Sequence, residues 1–458
     1  MELFRLEDLV KRIKVGFVGP INKFYCSKSE GVPMIRTTDL TTNGVDFSNL
    51  KYVTNEFHEK HKKSQLKNGD LIIARHGDNG KANLFKENFE AQVLNAVIIE
   101  PNQDKLSSEI LMLYFDSVFV KKQILGCVKG SVQGVINTSH IANLQIPIST
   151  TINLTKVLEI IKPIDTKIEL NNKINAELEA MAKLVYDYWF VQFDFPTSAA
   201  YAASVGKPEL EGQPYKSSGG KMEYNEELKR EIPEGWEQQR LGNVLEHSKT
   251  GLNPRKNFKL GEGSNFYVTI KNIKQGKVIL DSKCDLISDE ALEIINERSD
   301  LKIGDILFTS IQPVGVTYLI KEKPENWNIN ESVFTLRANY KLVTSEFLFM
   351  FLSGDYIKAY TNNVSAGSIH KGVRHGTLKD CLFVLPPKNI VNEFSKIIES
   401  SLDQIHTNQK QNQELASLRD WLLPMLMNGQ VTVGDAEEKV AKMSGGGGSV
   451  SVAAEGEE

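Results

Sequence analysis

The chain has 458 residues, 41% hydrophobic and 24% charged, the composition of a soluble globular protein too long for one ordinary core. No apolar run nears the roughly 18 residues a membrane span requires, and the opening Met1-Glu2-Leu3-Phe4-Arg5 lacks a secretory layout, so a cytoplasmic location is expected. A net charge of −4 is unlike that of a free-standing nucleic-acid binder, but basic residues slightly outnumber acidic ones over residues 1–150 and 236–386. The cysteines, Cys26, Cys127, Cys284 and Cys381, show no C-x-x-C spacing, which points to reduced, buried thiols and neither a zinc site nor a disulfide framework.

The chain is an internal repeat. Lys67-Asn68-Gly69-Asp70-Leu71-Ile72-Ile73 matches Lys302-Ile303-Gly304-Asp305-Ile306-Leu307-Phe308 at an offset of 235, and Arg5-Leu6 matches Arg240-Leu241 at the same offset. Asp39-Leu40 aligns with Asn272-Ile273 at 233, and Gly130-Ser131-Val132 with Gly367-Ser368-Ile369 at 237. Drifting offsets of this kind fit domains whose loops differ in length. Within each domain the sequence predicts short strands, such as Leu71–Ala74 and Val93–Ile99, and helices over Ser107–Lys122 and Ser345–Tyr360. The fold class expected is mixed α/β.

In the last part of each copy the offset is constant at 237, where Ile160-Ile161, Ile168, Asn171, Asn175 and Glu177-Leu178 meet Ile397-Ile398, Ile405, Asn408, Asn412 and Glu414-Leu415. A continuous helix cannot absorb insertions, so long helices are predicted from about Leu154 to Tyr188 and from about Ile390 to Met427, each reaching roughly 50 Å. Pro163 is expected to kink the first. Both carry an apolar seam with asparagine at its middle, Asn171 and Asn175 in one and Asn408 and Asn412 in the other, the usual device for fixing register between paired helices. Ser401 and Arg419 weaken the second stripe. An antiparallel pair is expected, separating the two domains.

The predicted organisation is a first domain over 1–150, a first spacer helix over 151–195, a connector over 196–235 rich in Ala, Ser, Gly and Pro, a second domain over 236–387, a second spacer helix over 388–430, and a flexible tail over 431–458.

Two variable domains each followed by a similar helix, the segment Leu184-Val185-Tyr186-Asp187-Tyr188-Trp189-Phe190-Val191-Gln192-Phe193-Asp194-Phe195-Pro196, and Glu231-Ile232-Pro233-Glu234-Gly235-Trp236-Glu237 opening the second copy resemble the specificity subunits of Type I restriction-modification systems. So do Gly69-Asp70-Leu71-Ile72 and Gly130-Ser131-x-Gln133, the likeness extending over residues 1 to about 430. The second copy departs from the pattern, with Gly367-Ser368-Ile369-His370-Lys371 where Gln is usual. The resemblance implies that each target-recognition domain reads one half of a split, asymmetric double-stranded DNA target, while the helices act as a ruler for the unread gap. It further implies docking of two methyltransferase subunits and of restriction and translocase subunits. S-adenosylmethionine, ATP and Mg would then belong to those partners, with no cofactor, metal or catalytic residue in this chain.

Base reading requires polar side chains on loops able to enter a groove, and cations that hold phosphates. Three places in each copy qualify. The first is Arg36-Thr37-Thr38-Asp39, matched by Thr269-Ile270-Lys271-Asn272, with Arg36, Thr37, Thr38, Lys271 and Asn272 as candidates. The second is the loop after the Gly-Asp strand, with Arg75, His76 and Lys81 against Ser310 and Gln312. The third is Lys129-Gly130-Ser131-Val132-Gln133-Gly134 with Asn137 beyond, giving Lys129, Ser131, Gln133 and Asn137 against Ser368, His370, Lys371 and Arg374. Lys60-His61-Lys62-Lys63 and Lys121-Lys122 read as solvated faces, and His58 and His61 lack a third metal ligand.

Two other readings compete. A DNA-modifying enzyme would carry an Asn-Pro-Pro-aromatic or Asp-Pro-Pro-aromatic signature, a phosphate loop or a nuclease motif, and the sequence has none of these. A helix-spaced structural adaptor without DNA recognition fits the near-neutral domains.

Overall fold

The uninterrupted apolar run Leu71-Ile72-Ile73-Ala74 requires both faces of one strand to lie among apolar side chains. In the computed structural model, which describes residues 2–41, 44–76, 80–129, 135–148, 152–274, 276–365 and 372–445, the chain divides into two units. The first comprises residues 1–170 with 412–458, the second residues 171–411. In the first unit Leu71 and Ile73 join one hydrophobic cluster and Ile72 and Ala74 another; Val97 and Ile99 divide from Ala96 and Ile98 in the same way. In the second unit Ile306 and Phe308 face one cluster and Leu307 the other. Period-two side chains on a sheet covered on both sides give the near-continuous apolar runs seen in the sequence.

Each unit carries the same four-stranded sheet, while the sheet beside it has five strands in the first unit and three in the second. In the first, a four-stranded sheet runs in the order 82–84, 71–74, 96–101, 10–15; in the second, the order is 317–319, 306–309, 333–338, 245–250. A second sheet is built around a parallel pair, Gly31–Arg36 with Ala91–Leu94 in the first unit and Asn265–Val268 with Trp327–Ile329 in the second. A short antiparallel pair closes each domain, Glu2–Arg5 on Gln145–Ile148 and Glu237–Arg240 on Leu382–Leu385.

Two expected elements are interrupted. The strand predicted over Val93–Ile99 is two strands in different sheets, because Asn95 takes a left-handed φ of 54° that turns the chain from Ala91–Leu94 into Ala96–Pro101. The helix predicted over Ser107–Lys122 is Ser108–Asp116 followed by Val118–Lys129; Ser117 is extended and its Oγ accepts the Val120 N–H at 3.3 Å, capping the second. The Ser345–Tyr360 helix divides likewise at Gly354.

The repeated Gly-Asp turn has a structural cause. Gly69 and Gly304 hold φ of 89° and 88°, conformations an L side chain resists. Asp70 accepts the Lys67 N–H at 3.0 Å and Asp305 the Lys302 N–H at 2.8 Å, while Ser108 and Ser345 hydroxyls donate to the two glycine carbonyls. The buried carboxylates differ in their cations. Asp305 takes a two-pronged bond from Arg337, Nε to Oδ1 at 2.7 Å and Nη2 to Oδ2 at 2.9 Å, and this holds the guanidinium in its charged form. Asp70 has no such fork: burial pushes its pKa up, opposed by the Lys67 N–H and by the charge of Lys14.

The first long helix spans Leu154–Tyr186 and ends in a widened π turn over Asp187–Val191; the second spans Lys388–Asn428. Helix runs uninterrupted past Pro163 and past Pro424. In the first unit Val157, Ile161 and Ile164 cluster with Leu418, Leu422 and Leu426, and Ile152 lies beside Gly429. Arg419, which breaks the apolar stripe in sequence, there pairs with Asp165 at 3.0 Å. In the second unit Asn171 Nδ2 donates to Gln411 Oε1 and Asn408 Nδ2 to Asn175 Oδ1, both at 2.8 Å. Within each unit rising numbers on one helix meet falling numbers on the other, so the helices pack antiparallel.

Two segments are more ordered than their composition implies. Within 196–235 lie a helix at Ala199–Ser204 and a hairpin joining Met222–Asn225 to Arg230–Pro233. Tyr215 and Trp236 stack on Phe195 with centroids 4.7 and 4.9 Å away, and Arg230 lies over the Phe193 ring. Scattered aromatics, outnumbered by small residues, anchor this segment. The tail expected from residue 431 is helical over Val433–Gly445, because Thr432 caps it and Ala436 is buried while Lys439 lies over the Trp421 ring at 3.6 Å. Of the four free cysteines, Cys284 and Cys381 are buried and Cys26 and Cys127 half-buried.

The two carboxylates should respond oppositely to neutralisation. Asp305→Asn breaks the fork and leaves Arg337 with Asp300, whose Oδ2 lies 3.1 Å from Nη1, and is expected to cost about 1–3 kcal/mol in chemical denaturation at pH 7. Asp70→Asn keeps an acceptor for the Lys67 N–H and removes a buried charge, so its midpoint should stay level or rise.

Candidate nucleic-acid interface

The first place is a short 3-10 turn in both units, Thr37–Asp39 and Ile270–Asn272. In the first unit Arg36 does not reach outward: its Nε and Nη2 donate to Asp39 Oδ2 and Oδ1 at 2.9 and 2.6 Å, and Nη2 also donates to the Asn49 carbonyl. These bonds raise the guanidinium pKa, the Asp39 hydrogen bond most. In the second unit Thr269 replaces it, its N–H and hydroxyl both donating to Asn272 Oδ1 at 2.9 Å. Asn272 is buried and donates through Nδ2 to Cys284 Sγ at 2.9 Å. Arg36 and Asn272 thus hold the turn, leaving Thr38 and Lys271 exposed and Thr37 half-buried.

The second and third places come together. After strand Leu71–Ala74, the Arg75 carbonyl accepts the Ile136 N–H at 3.2 Å; after Ile306–Thr309, the Ser310 carbonyl accepts the Val373 N–H at 2.8 Å. One backbone bond therefore ties the strand end to the exit of the third loop in each unit. The residues that follow, Asn137 and Arg374, are both exposed and each precedes a short helix, Thr138–Ala142 and His375–Lys379.

The side chains at this junction differ. Arg75 donates from Nε to the Ile136 carbonyl at 2.9 Å, from Nη1 to Asn95 Oδ1 at 3.2 Å and from Nη2 to Asn137 Oδ1 at 3.3 Å. Ser310, buried, donates from Oγ to the Ser332 carbonyl at 2.8 Å. Beside Arg374, His375 Nε2 is hydrogen-bonded to the Ser248 hydroxyl at 2.6 Å; burial lowers the His375 pKa, and Lys379 and Lys249 lower it further. His76 and Gln312 are exposed, and Lys81 is half-buried. Ser131, Gln133, Ser368, His370, Lys371 and the Lys129 side chain lie outside the described residues.

Asn95 and Ser332 were absent from the sequence-derived set, because their place beside Arg75 and Ser310 depends on strand pairing. The left-handed asparagine between two apolar runs was the available signal. Lys60, Lys62, Lys63, Lys121 and Lys122 are exposed, with Lys121 3.6 Å from Asp116. His58 is engaged by Glu90 and Gln92, both at 3.0 Å, and His61 packs against the Phe17 and Phe57 rings. Among the described residues no group of three or more His, Cys, Asp or Glu is placed to hold a metal, and no helix is long and apolar enough to cross a membrane.

A twice-built α/β unit with a long antiparallel helix, presenting equivalent loops with unlike polar side chains, defines a duplicated recognition module. The family model for the Type I restriction modification DNA specificity domain matches residues 1–180 and 233–417, so the chain belongs to the specificity subunits of Type I restriction-modification systems, which are non-catalytic. It is 25% identical over 446 residues to the Type I restriction enzyme HindI specificity subunit of Haemophilus influenzae, covering 87% of this chain and 94% of that protein. Over 344 residues it is 24% identical to the MjaIX specificity subunit of Methanocaldococcus jannaschii, covering 72% of this chain and 71% of that protein. In fold it resembles the crystal structure of the S subunit from M. genitalium, with a TM-score of 0.50 at 12% identity, over 93% of this chain and 95% of that one.

Neighbours in the first loop should separate by role. Asn272→Ala leaves two Thr269 donors without their acceptor and removes the donor to Cys284 Sγ, and is expected to cost about 1–3 kcal/mol in thermal or denaturant unfolding. Lys271→Ala should leave stability within about 0.5 kcal/mol while reducing the salt dependence of DNA binding by about one unit of slope.

Proposed function

We propose that the domain preceding each long helix, residues 1–150 and 236–387, reads one half of a split, asymmetric duplex target. The observation that carries this reading is the pairing of one shared backbone junction with unlike side chains, Arg75, Asn95 and Asn137 against Ser310, Ser332 and Arg374. Equal frameworks with unequal polar surfaces are what recognition of two different half-sites requires. The third-loop residues Ser131, Gln133, Ser368, His370 and Lys371, with Lys129, belong to the same reading by sequence.

In this reading the long helices set the unread gap, with Asn171, Asn175, Asn408 and Asn412 fixing their register, and they carry two methyltransferase subunits through which restriction and translocase subunits join. Met181, Leu184, Tyr188 and Val191, large apolar side chains exposed at helical spacing at the end of the first long helix, support a protein-docking face there. S-adenosylmethionine, ATP and Mg serve the partners, and the complex works in the cytoplasm.

Co-expression with the methyltransferase partner, followed by genome-wide mapping of methylated adenine, tests the function. A split motif with a fixed gap is expected; methylation with no motif would favour an adaptor, and methyl transfer by the purified chain alone would sink the non-catalytic assignment.

Inserting four residues between Asn171 and Asn175, a little over one helical turn, should lengthen the gap or abolish activity. Changed half-sites with an unchanged gap would contradict the ruler.

A further inference from the structure

Three segments distant in sequence meet at the junction described above, and the side chains they bring differ between the two units. The strand end carries Arg75 in the first unit and Ser310 in the second. The start of the next core strand carries Asn95 and Ser332, which precede Ala96–Pro101 and Val333–Ala338. The residue ahead of the short helix is Asn137 in one and Arg374 in the other. Each unit therefore has one guanidinium at this junction, but from opposite sides of it.

The two guanidinia have different freedom. Arg75 commits three donor groups to the protein, one of them to Asn137 Oδ1. An amide whose oxygen is held inward turns its NH2 outward, so exposed Asn137 offers donors to whatever approaches. Arg374 is exposed and among the described residues its guanidinium has no hydrogen-bond or ion-pair partner. Its backbone is nonetheless fixed on both sides, by the Val373 N–H bond to the Ser310 carbonyl and by the His375 bond to Ser248. A free guanidinium on a fixed mount suits bidentate recognition, whereas a guanidinium with most donors spent does not.

We infer that the residue ahead of the short helix is a base-contacting position in each unit, Arg374 addressing the O6 and N7 acceptors of a guanine and Asn137 addressing an acceptor on a base edge, with Arg75 a positioning residue that orients the Asn137 amide. This rests on the reading of the two units as DNA readers. Major-groove edges present these acceptors, and a bidentate arginine on guanine is the commonest specific contact made there.

The test uses the full chain in complex with its methyltransferase partner, comparing methylated motifs for Arg374→Ala, Asn137→Ala, Arg75→Lys and the Arg75→Lys/Asn137→Ala double variant. Arg374→Ala should relax one position of one half-site, losing about 10- to 100-fold in discrimination at a guanine and leaving the other half untouched. Asn137→Ala should relax one position of the other half. Arg75→Lys should relax that same position, with the double variant no worse than Asn137→Ala alone, because Arg75 acts through the amide. A melting temperature measured for Arg75→Lys, with Arg75→Gln as a second variant, separates misorientation from unfolding.

Uniform weakening across all targets with an unchanged motif would make Arg374 a phosphate contact and overturn its assignment. An additive double variant would make Arg75 a contact in its own right and overturn the positioning role. A wild-type complex that methylates no split motif would remove the DNA reading itself, and this assignment with it.

Discussion

The structure depends on a four-stranded sheet, present once in each unit, that is covered on both faces. With Leu71 and Ile73 on one side and Ile72 and Ala74 on the other, a one-residue slip would exchange the side chains each cluster has room for. Register at the strand ends is consequently fixed, and so is the position of whatever follows them. Arg75 and Ser310 inherit that precision, and the bonds to Ile136 and Val373 pass it to the next segment.

The duplication makes a controlled comparison possible within one molecule. Gly69 and Gly304 have φ within one degree of each other, and the serine that caps each turn is in the same place. The counter-charges differ: the second unit forks Arg337 onto Asp305, while the first leaves Asp70 with the nearby charge of Lys14. A fold can hold its backbone constant while the means of satisfying a buried carboxylate changes. At the loop junction the same tolerance permits Arg75 and Asn137 to be replaced by Ser310 and Arg374.

Much of this was legible in the sequence, for physical reasons that can be named. The constant offset across Ile160–Leu178 and Ile397–Leu415 exposed the long helices because a helix cannot take an insertion. The repeated Gly-Asp marked equivalent points of the two copies, and the turn that needs the glycine became visible only in the structure. What escaped was where a continuous apolar run changes direction. The one mark in Val93–Ile99 is the polar Asn95 between two apolar runs, and it is the left-handed backbone of that residue that separates one strand from two. The order in 196–235 escaped for a related reason, since Phe195, Tyr215 and Trp236 are few and widely spaced until folding stacks them. At the candidate interface the sequence located the loops but not the inward commitments of Arg36 and Asn272, because a side chain spent on its own backbone has the same composition as one that faces solvent.

The sheet switch at Asn95 bears on how such a protein can be re-engineered. Strand end, sheet crossing and helix lead-in come from positions 75, 95 and 137, and Asn95 is held by the guanidinium that also braces Asn137. Transplanting any one loop from a relative would bring in a side chain whose braces stay behind in the donor. The smallest portable cassette is the whole stretch from Arg75 to Asn137, cut where the backbone is pinned.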